Sequence, residues 1–186
     1  MLNAAENERF TLVGPGTPTG ELIRDILQHD KAGEPASAEA EALLFAASPA
    51  QHVQHVIEPA LAGGTWVICD RFIDSTTAYQ GYGRDISVEQ LKQINHFAIG
   101  RTRPDLTLLF DIDVDTALGR LQKHFEAHGG EADRIEKESR VFNERVSDGY
   151  LQLSGEDPQR FRLVQADRAP GEIAAEVWEL VRVLRG

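Results

Sequence analysis

Charged and hydroxyl side chains follow the apolar run Thr65-Trp66-Val67-Ile68-Cys69 and suit the binding of a phosphorylated ligand. An aspartate at the end of a strand can hold Mg²⁺ through water, and Asp70 occupies that place. Arg71 comes next, and a guanidinium group binds phosphate through two hydrogen bonds. Thr76 and Gln80 carry a hydroxyl and an amide that can read the polar edge of a base. The same residues also fit an exposed Asp–Arg pair on a polar turn, which is a common and weak arrangement.

A second candidate phosphate-binding segment is the glycine-containing stretch that runs from Phe10 to Leu27. An apolar run leads into a loop that carries Gly14, Gly16 and Gly20, and a helical pattern follows. A strand, a glycine loop and a helix in this order can cradle phosphate on backbone N–H groups. The Walker-A loop ends in a lysine that reaches the outer phosphates, whereas Glu21 follows the last glycine here. The stretch is therefore either a cradle that has lost its lysine or a loop of another kind.

The elements that would position these residues alternate between strands and helices. Short apolar runs predict buried strands at Thr65–Cys69, Leu106–Phe110 and, more weakly, Phe161–Val164, and the run Phe10–Val13 before the glycine loop is a further strand. Amphipathic patterns predict helices over residues 39–61 with Ser37 as N-cap, 88–99, 115–126, 136–153 and 171–184. This alternation predicts an α/β fold with a parallel sheet, and ligands bind such sheets beyond the carboxyl ends of the strands. The site should therefore gather the residues that follow Val13, Cys69 and Phe110.

Composition narrows the class of protein. The 186 residues are 41% hydrophobic, which predicts one domain over residues 1–186. A net charge of −11 disfavours a nucleic-acid partner. The lone Cys69 excludes a disulfide framework, and no apolar stretch is long enough to span a membrane, so a cytoplasmic location is expected. The six histidines have no acidic partners at metal-ligand spacing, which predicts no metal site in the protein itself.

Taken together, several segments resemble the bacterial thymidylate kinases. In chain order they read PGTPTGELIRDIL, AEALLFAASPAQHV, VICDRFIDSTTAYQGYGR, RPDLTLLFDID, DRIEKE and FNERVSDGYLQL. The resemblance implies a three-layer P-loop nucleoside-monophosphate-kinase sandwich with a parallel sheet. It implies the transfer of a phosphoryl group from ATP to dTMP, giving dTDP and ADP, with Mg²⁺ accompanying ATP. It also implies a homodimer and a lid at about residues 122–138.

The resemblance assigns roles to individual side chains. Arg24 and Arg71 would hold the phosphate of dTMP, with Asp70 beside Arg71 at the reacting end. Phe45 would stack on thymine, while Thr76 and Gln80 would read its edge and Tyr79 would pack against the deoxyribose. Arg134 would stabilise charge on the transferring phosphoryl group. Arg120 and Arg140 are weaker candidates for the same task.

The sequence departs from the family pattern in two places. Residues Pro15–Glu21 match the family's second glycine loop, and no Gly-Lys dipeptide occurs anywhere, so we expect a member without the Walker-A loop and its strand. That strand would lie between the strands that end at Cys69 and Phe110, and we expect Phe10–Val13 to lie beside Trp66–Cys69. Pro49 stands where the family has an arginine that contacts thymine. The chain as given is therefore expected to be catalytically inactive; a non-catalytic nucleotide-binding protein and a ligand-free structural remnant are the alternatives.

Overall fold

A computed structural model describes residues 9–13, 16–29, 33–129 and 132–185. Contacts divide the chain into two compact units, residues 1–103 and residues 104–186. Each unit contains one pair of parallel strands flanked by helices, which confirms the predicted α/β class. The prediction of a single domain stays a prediction.

The strands of the first unit are β1 (Arg9–Val13) and β2 (Thr65–Cys69). They pair in parallel with Arg9 opposite Thr65 and Val13 opposite Cys69. This pairing confirms the expectation that the first apolar run lies beside the Trp66–Cys69 strand. The expectation of full burial is wrong for β2, because the Ile68 side chain is 53% exposed.

Two helical stretches lie between β1 and β2. Helix α1 (Pro18–Gln28) begins at Thr17, whose hydroxyl accepts a hydrogen bond from the Gly20 N–H. Helix α2 (Ala38–His52) begins at the predicted N-cap Ser37, continues as a π-helical segment (Val53–Ile57) and ends in the short α3 (Glu58–Ala62). The prediction of one regular helix over residues 39–61 is wrong in detail, since Pro49 cannot donate its i→i−4 hydrogen bond and a π-helical turn follows it.

Beyond β2 the chain is helical, where the sequence by itself also fitted a polar turn. Helix α4 (Ile73–Thr76) runs directly into a second π-helical segment (Thr77–Gly83), and α5 (Val88–Ile99) follows with the predicted bounds. Gly81 allows a close approach to α5, because a Cβ atom there would lie 3.1 Å from Val88 Cγ2 and 3.3 Å from Leu91 Cδ1. The core of this unit includes Val53, Ile57 and Ile99, with Val67 and Phe72 packed against them.

The second unit pairs β3 (Thr107–Asp111) with β4 (Phe161–Gln165) in parallel. Its helices are α6 (Val114–His128), α7 (Arg140–Glu156) and α8 (Pro170–Arg182), and a 3₁₀ turn (Val183–Arg185) ends the described chain. Its buried apolar side chains are Phe142, Val146, Leu153, Phe161 and Val164. Phe110 is 50% and Leu163 44% exposed, so the expectation of full burial is also wrong for β3 and β4. Within the described ranges, this unit contains one pair of strands, as the first unit does.

Helix α7 begins four residues later than its pattern predicts. The carboxylate of Asp133 accepts hydrogen bonds from the N–H groups of Ile135 and Glu136, both at 2.8 Å, and so holds residues 134–137 in a separate turn. Ser139 then caps α7 by accepting from the Phe142 N–H. Local side-chain hydrogen bonds to the backbone compete with helix in this way.

Candidate nucleotide site

The carboxyl end of β2 carries an arginine in an unusual backbone conformation. Arg71 has φ 63°, and among the described non-glycine residues only Asp85 shares a positive φ. A left-handed conformation costs a side-chain-bearing residue on the order of 1–3 kcal/mol, and such residues cluster at functional sites. The exposed Asp70 and Arg71 therefore lie at the strand end where an open parallel sheet binds its ligands.

Tyr79 holds the guanidinium group of Arg71. Arg71 Nη2 donates a hydrogen bond of 2.9 Å to the Tyr79 hydroxyl, and Arg71 Cζ lies 4.9 Å from the centre of the Tyr79 ring. A cation over an aromatic face at this distance is stabilised by about 0.5–1 kcal/mol when exposed. Tyr79 belongs to the π-helical segment, so that segment and the strand-end loop together orient the arginine.

A buried polar group lies beside Tyr79. Gln80 is 1% exposed and its Nε2 donates to Glu41 Oε1 at 2.9 Å. Arg84 Nε approaches the same oxygen at 3.2 Å. Thr76, one helical turn before Gln80, is also buried. The predicted base-reading pair is thus brought together inside the unit, and Gln80 faces α2 rather than solvent.

Helix α2 carries Glu41, Phe45 and Pro49 at intervals of four residues, which places them along one face. Phe45 and Pro49 are half-buried, and α2 packs against α4 and the second π-helical segment. The predicted stacking residue therefore belongs to the helix that supplies the partner of Gln80.

Arg24 is less constrained than Arg71. It is exposed on α1, and its Nε donates to Gln28 Oε1 at 3.2 Å. Helix α1 packs against α2. Gly14 and Pro15 of the preceding glycine loop lie outside the described residues, while Thr17 forms the helix cap given above.

The predicted catalytic arginine belongs to the second unit. Arg134 is half-buried in the turn held by Asp133, and Glu136 closes this turn by accepting from the Asp133 N–H at 2.8 Å. The turn fixes the backbone on both sides of Arg134. Gly130 and Glu131 of the predicted lid lie outside the described residues.

The two weaker arginine candidates are bound to carboxylates on the surface. Arg140 forms a two-point contact with Asp115, at 2.7 and 3.0 Å, and this hydrogen bond holds the pKa of Asp115 below its usual value. Arg120 donates to Asp167 and to the Ala166 carbonyl. Both guanidinium groups are thus already bound to carboxylates.

The thiol of Cys69 is half-buried, donates to the Arg71 carbonyl at 3.2 Å and lies next to Asp70. Burial, and then the neighbouring Asp70, raise the pKa of the Cys69 thiol to about 11. A thiol with this pKa is almost wholly protonated at neutral pH, so little of the nucleophilic thiolate is present. This supports the packing role for Cys69 that its apolar run suggests.

Within the described ranges, no group of three or more metal-ligating side chains converges. Asp70 is exposed and can contribute one carboxylate to Mg²⁺, which usually keeps several waters and takes the rest of its ligands from phosphate oxygens. The residues present therefore fit a magnesium ion that arrives with its nucleotide. No helix in the described part of the chain is long and apolar enough to cross a membrane.

Sequence reasoning missed Glu41 and Arg84. A signal for Glu41 was available, because this acidic residue lies four positions before Phe45, on the helix face that carries the proposed stacking residue. Asn95 was also missed: it is buried on α5, and its Nδ2 donates to the Ile73 carbonyl and to Thr77 Oγ1. Asn95 thereby ties α4 and the second π-helical segment to α5.

Comparison with known proteins agrees with this arrangement. The family model described as thymidylate kinase matches residues 3–177. A thymidylate kinase of Cupriavidus metallidurans is 43% identical over 183 residues, covering 98% of this chain and 87% of that protein. One from Synechococcus sp. (strain JA-2-3B'a(2-13)) is 43% identical over 166 residues, covering 89% of this chain and 75% of its own. A thymidylate kinase of Pelotomaculum thermopropionicum is 47% identical over 160 residues, covering 86% of this chain and 72% of that protein. With its parallel strand pairs, its Asp70-Arg71 strand end and these relatives, the chain belongs to the thymidylate kinase family.

Proposed function

We propose that this chain binds dTMP at the carboxyl end of β2, and that the 186 residues as given do not by themselves phosphorylate it. The observation that carries the proposal is the Arg71–Tyr79 pair, in which a strained backbone and an aromatic partner hold a guanidinium group at the strand end. A positively charged group held in this way is prepared to bind an anion. Phosphate is the anion that the family membership supplies.

The phosphate end of the ligand would contact Arg71 through two hydrogen bonds, and Arg24 would add a second positive charge. Tyr79 already accepts a hydrogen bond from Arg71, so its ring would lie beside the sugar next to that phosphate. A ring in this place leaves little room for a 2′-hydroxyl. This is the physical reason to expect deoxyribose rather than ribose.

The base end would lie toward α2. Phe45 would stack on the thymine ring, and Thr76 and Gln80 would face its polar edge. Pro49, one turn beyond Phe45, has no N–H and no charge to offer a ligand. We therefore expect weaker dTMP binding than an arginine at this position would give.

The family reaction transfers a phosphoryl group from ATP to dTMP, and Mg²⁺ supplies charge neutralisation between the phosphates when it is bound. In this chain Asp70 would hold Mg²⁺ through water, and the stabilising role of Arg134 stays an expectation from the family resemblance. The sequence contains no Gly-Lys dipeptide, so the Walker-A lysine and the backbone donors next to it are not supplied by these residues. Removal of one comparable donor lowers rates by about 10²–10³.

Two experiments test the proposal. In titration calorimetry and thermal-shift assays, dTMP should bind and raise the melting temperature, and Arg71→Ala should weaken binding by roughly 10- to 150-fold, the scale of hydrogen bonds to a charged group. The matched control is Arg101→Ala, an exposed arginine of the same unit, which should bind dTMP as the unaltered chain does. A chain that binds neither dTMP nor ATP would instead be a structural remnant.

Turnover is measured separately, by coupled detection of ADP release. We expect no meaningful activity, and a rate near one per second, which is ordinary for a kinase, would overturn the second half of the proposal. Binding of both nucleotides without turnover would identify a non-catalytic nucleotide-binding protein. Sedimentation of the same sample tests the homodimer that the family resemblance implies.

A further inference from the structure

The side chain of Glu41 is an unusual occupant of the interior. It is 1% exposed on α2, and an unpaired carboxylate in such a place would be strongly unfavourable. Its Oε1 accepts from Gln80 Nε2 and from Arg84 Nε, which supplies the opposite charge. Glu41 thus joins the helix that carries Phe45 to the segment that carries Tyr79.

Glu41 also determines the orientation of the Gln80 side-chain amide. An ionised carboxylate only accepts hydrogen bonds, so it binds the NH₂ end of the amide and never the carbonyl end. The opposite end, Gln80 Oε1, is enclosed and has no hydrogen-bond partner among the described residues. A buried acceptor without a donor destabilises the folded state, and a ligand N–H that reached it would remove this destabilisation.

We propose that Glu41 is a positioning residue of the nucleotide site, because its buried contact with Gln80 Nε2 fixes Gln80 Oε1 as the end of the amide that meets the base. The inference rests on the proposed function, since it assumes that the ligand is a pyrimidine nucleotide bound beside Gln80. Thymine has a donor at N3, whereas cytosine has an acceptor at N3 and an amine at C4. If Gln80 Oε1 lies opposite N3, it accepts from the N3–H of thymine, whereas in cytosine it meets another acceptor.

The enclosed position of Gln80 Oε1 implies a small rearrangement when a base binds. The oxygen belongs to a π-helical segment, and π-helical turns occur often at functional sites. Contact with a base requires a covering side chain to move, while Glu41 and Arg84 keep the amide in its orientation. The selection between bases then depends on Glu41, although Glu41 does not touch the ligand.

The test compares dTMP with dCMP by calorimetry. Glu41→Gln preserves size and hydrogen bonding but can both donate and accept, so the Gln80 amide is free to turn over. We expect the dTMP-to-dCMP affinity ratio to fall about tenfold, the change for one hydrogen bond to a buried group. The control Glu39→Gln alters an exposed glutamate of the same helix and should leave the ratio unchanged.

A purely structural role for Glu41 gives a different result. Glu41→Gln would then weaken both nucleotides by the same factor, and an unchanged ratio in a folded variant overturns the inference. If Glu41→Gln fails to fold, Gln80→Met provides the second test, because it removes the amide at similar volume; an unchanged ratio in that variant means the Gln80 amide does not select the base and overturns the inference. If both single variants fold, the double variant should show no further loss of the ratio. Binding of dTMP with a Glu41-independent ratio refutes this inference alone, whereas failure of the unaltered chain to bind dTMP refutes the proposed function as well.

Discussion

Replacement of Pro49 separates the stability of α2 from the recognition of the base. Pro49 lies inside α2, four residues after Phe45, so the helix lacks the hydrogen bond that residue 49 would donate to the Phe45 carbonyl. Pro49→Arg restores this N–H and adds a guanidinium group beside the proposed stacking residue. Pro49→Ala restores only the N–H and is the matched control.

The two effects have different sizes and different readouts. Proline in a helix interior is about 3 kcal/mol less favourable than alanine, and the loss of its rigidity in the unfolded chain offsets about 0.4–1 kcal/mol of any gain. Both variants should therefore be about 2 kcal/mol more stable, which raises the melting temperature by roughly 4–8 °C for a chain of this length. Only the arginine variant adds a charged donor, and it should bind dTMP about 1–3 kcal/mol more tightly, roughly 5- to 150-fold.

Calorimetry with dTMP and with thymidine distinguishes base contact from charge attraction. A guanidinium group that reads thymine improves the binding of both ligands, whereas one that attracts only the phosphate improves dTMP alone. If Pro49→Arg binds dTMP no better than Pro49→Ala does, position 49 has no role in recognition and the placement of the base beside α2 is wrong.

The burial of His52, the pKa of Cys69 and the edges of the strand pairs each lead to a further prediction. Burial lowers the pKa of His52, so its contribution to stability is complete above pH 6.5 and is lost as pH falls through the lower folded-state pKa. Between pH 7.5 and 5, the free energy of unfolding in urea should therefore fall less for His52→Gln than for the unaltered chain. The control is His55→Gln, which replaces an exposed histidine. Because the pKa of Cys69 is about 11, alkylation at pH 7.5 should be about two orders of magnitude slower in the folded chain than in urea, and equal rates would show that the thiol is not buried as described. The described strands form two separate pairs with unpaired edges, so we expect marginal stability and aggregation on heating; a cooperative, reversible circular-dichroism transition above about 65 °C would contradict this.

Local patterns in the sequence predicted much of the secondary structure. The strand Thr65–Cys69, the helix Val88–Ile99 and the cap at Ser37 are confirmed with their predicted positions. Each depends on neighbouring residues alone, through apolar runs or a hydroxyl beside a helix start. The parallel pairing of the first strand with Thr65–Cys69 followed from the family resemblance, since strand order involves residues far apart in the chain.

The departures arise where side chains compete with regular backbone hydrogen bonding. Asp133 binds two backbone N–H groups and delays the start of α7, although the pattern from residue 136 is helical. Residues 75–84 look like a polar turn because their hydroxyls and glycines suit a loop. In the folded unit Asn95 and Gly81 allow them to pack as helix against α5.

For the candidate site, the sequence by itself determined the residue types and their order: an aspartate and an arginine after a strand, an aromatic residue on a preceding helix, and a hydroxyl and an amide that follow. Only the tertiary structure decided how those groups are oriented. The Arg71–Tyr79 contact needs a left-handed backbone at Arg71, and the direction of the Gln80 amide depends on Glu41, which lies 39 residues earlier. Orientation of this kind comes from burial, since a carboxylate enclosed with an amide must bind its N–H, and burial exists only once the helices have packed.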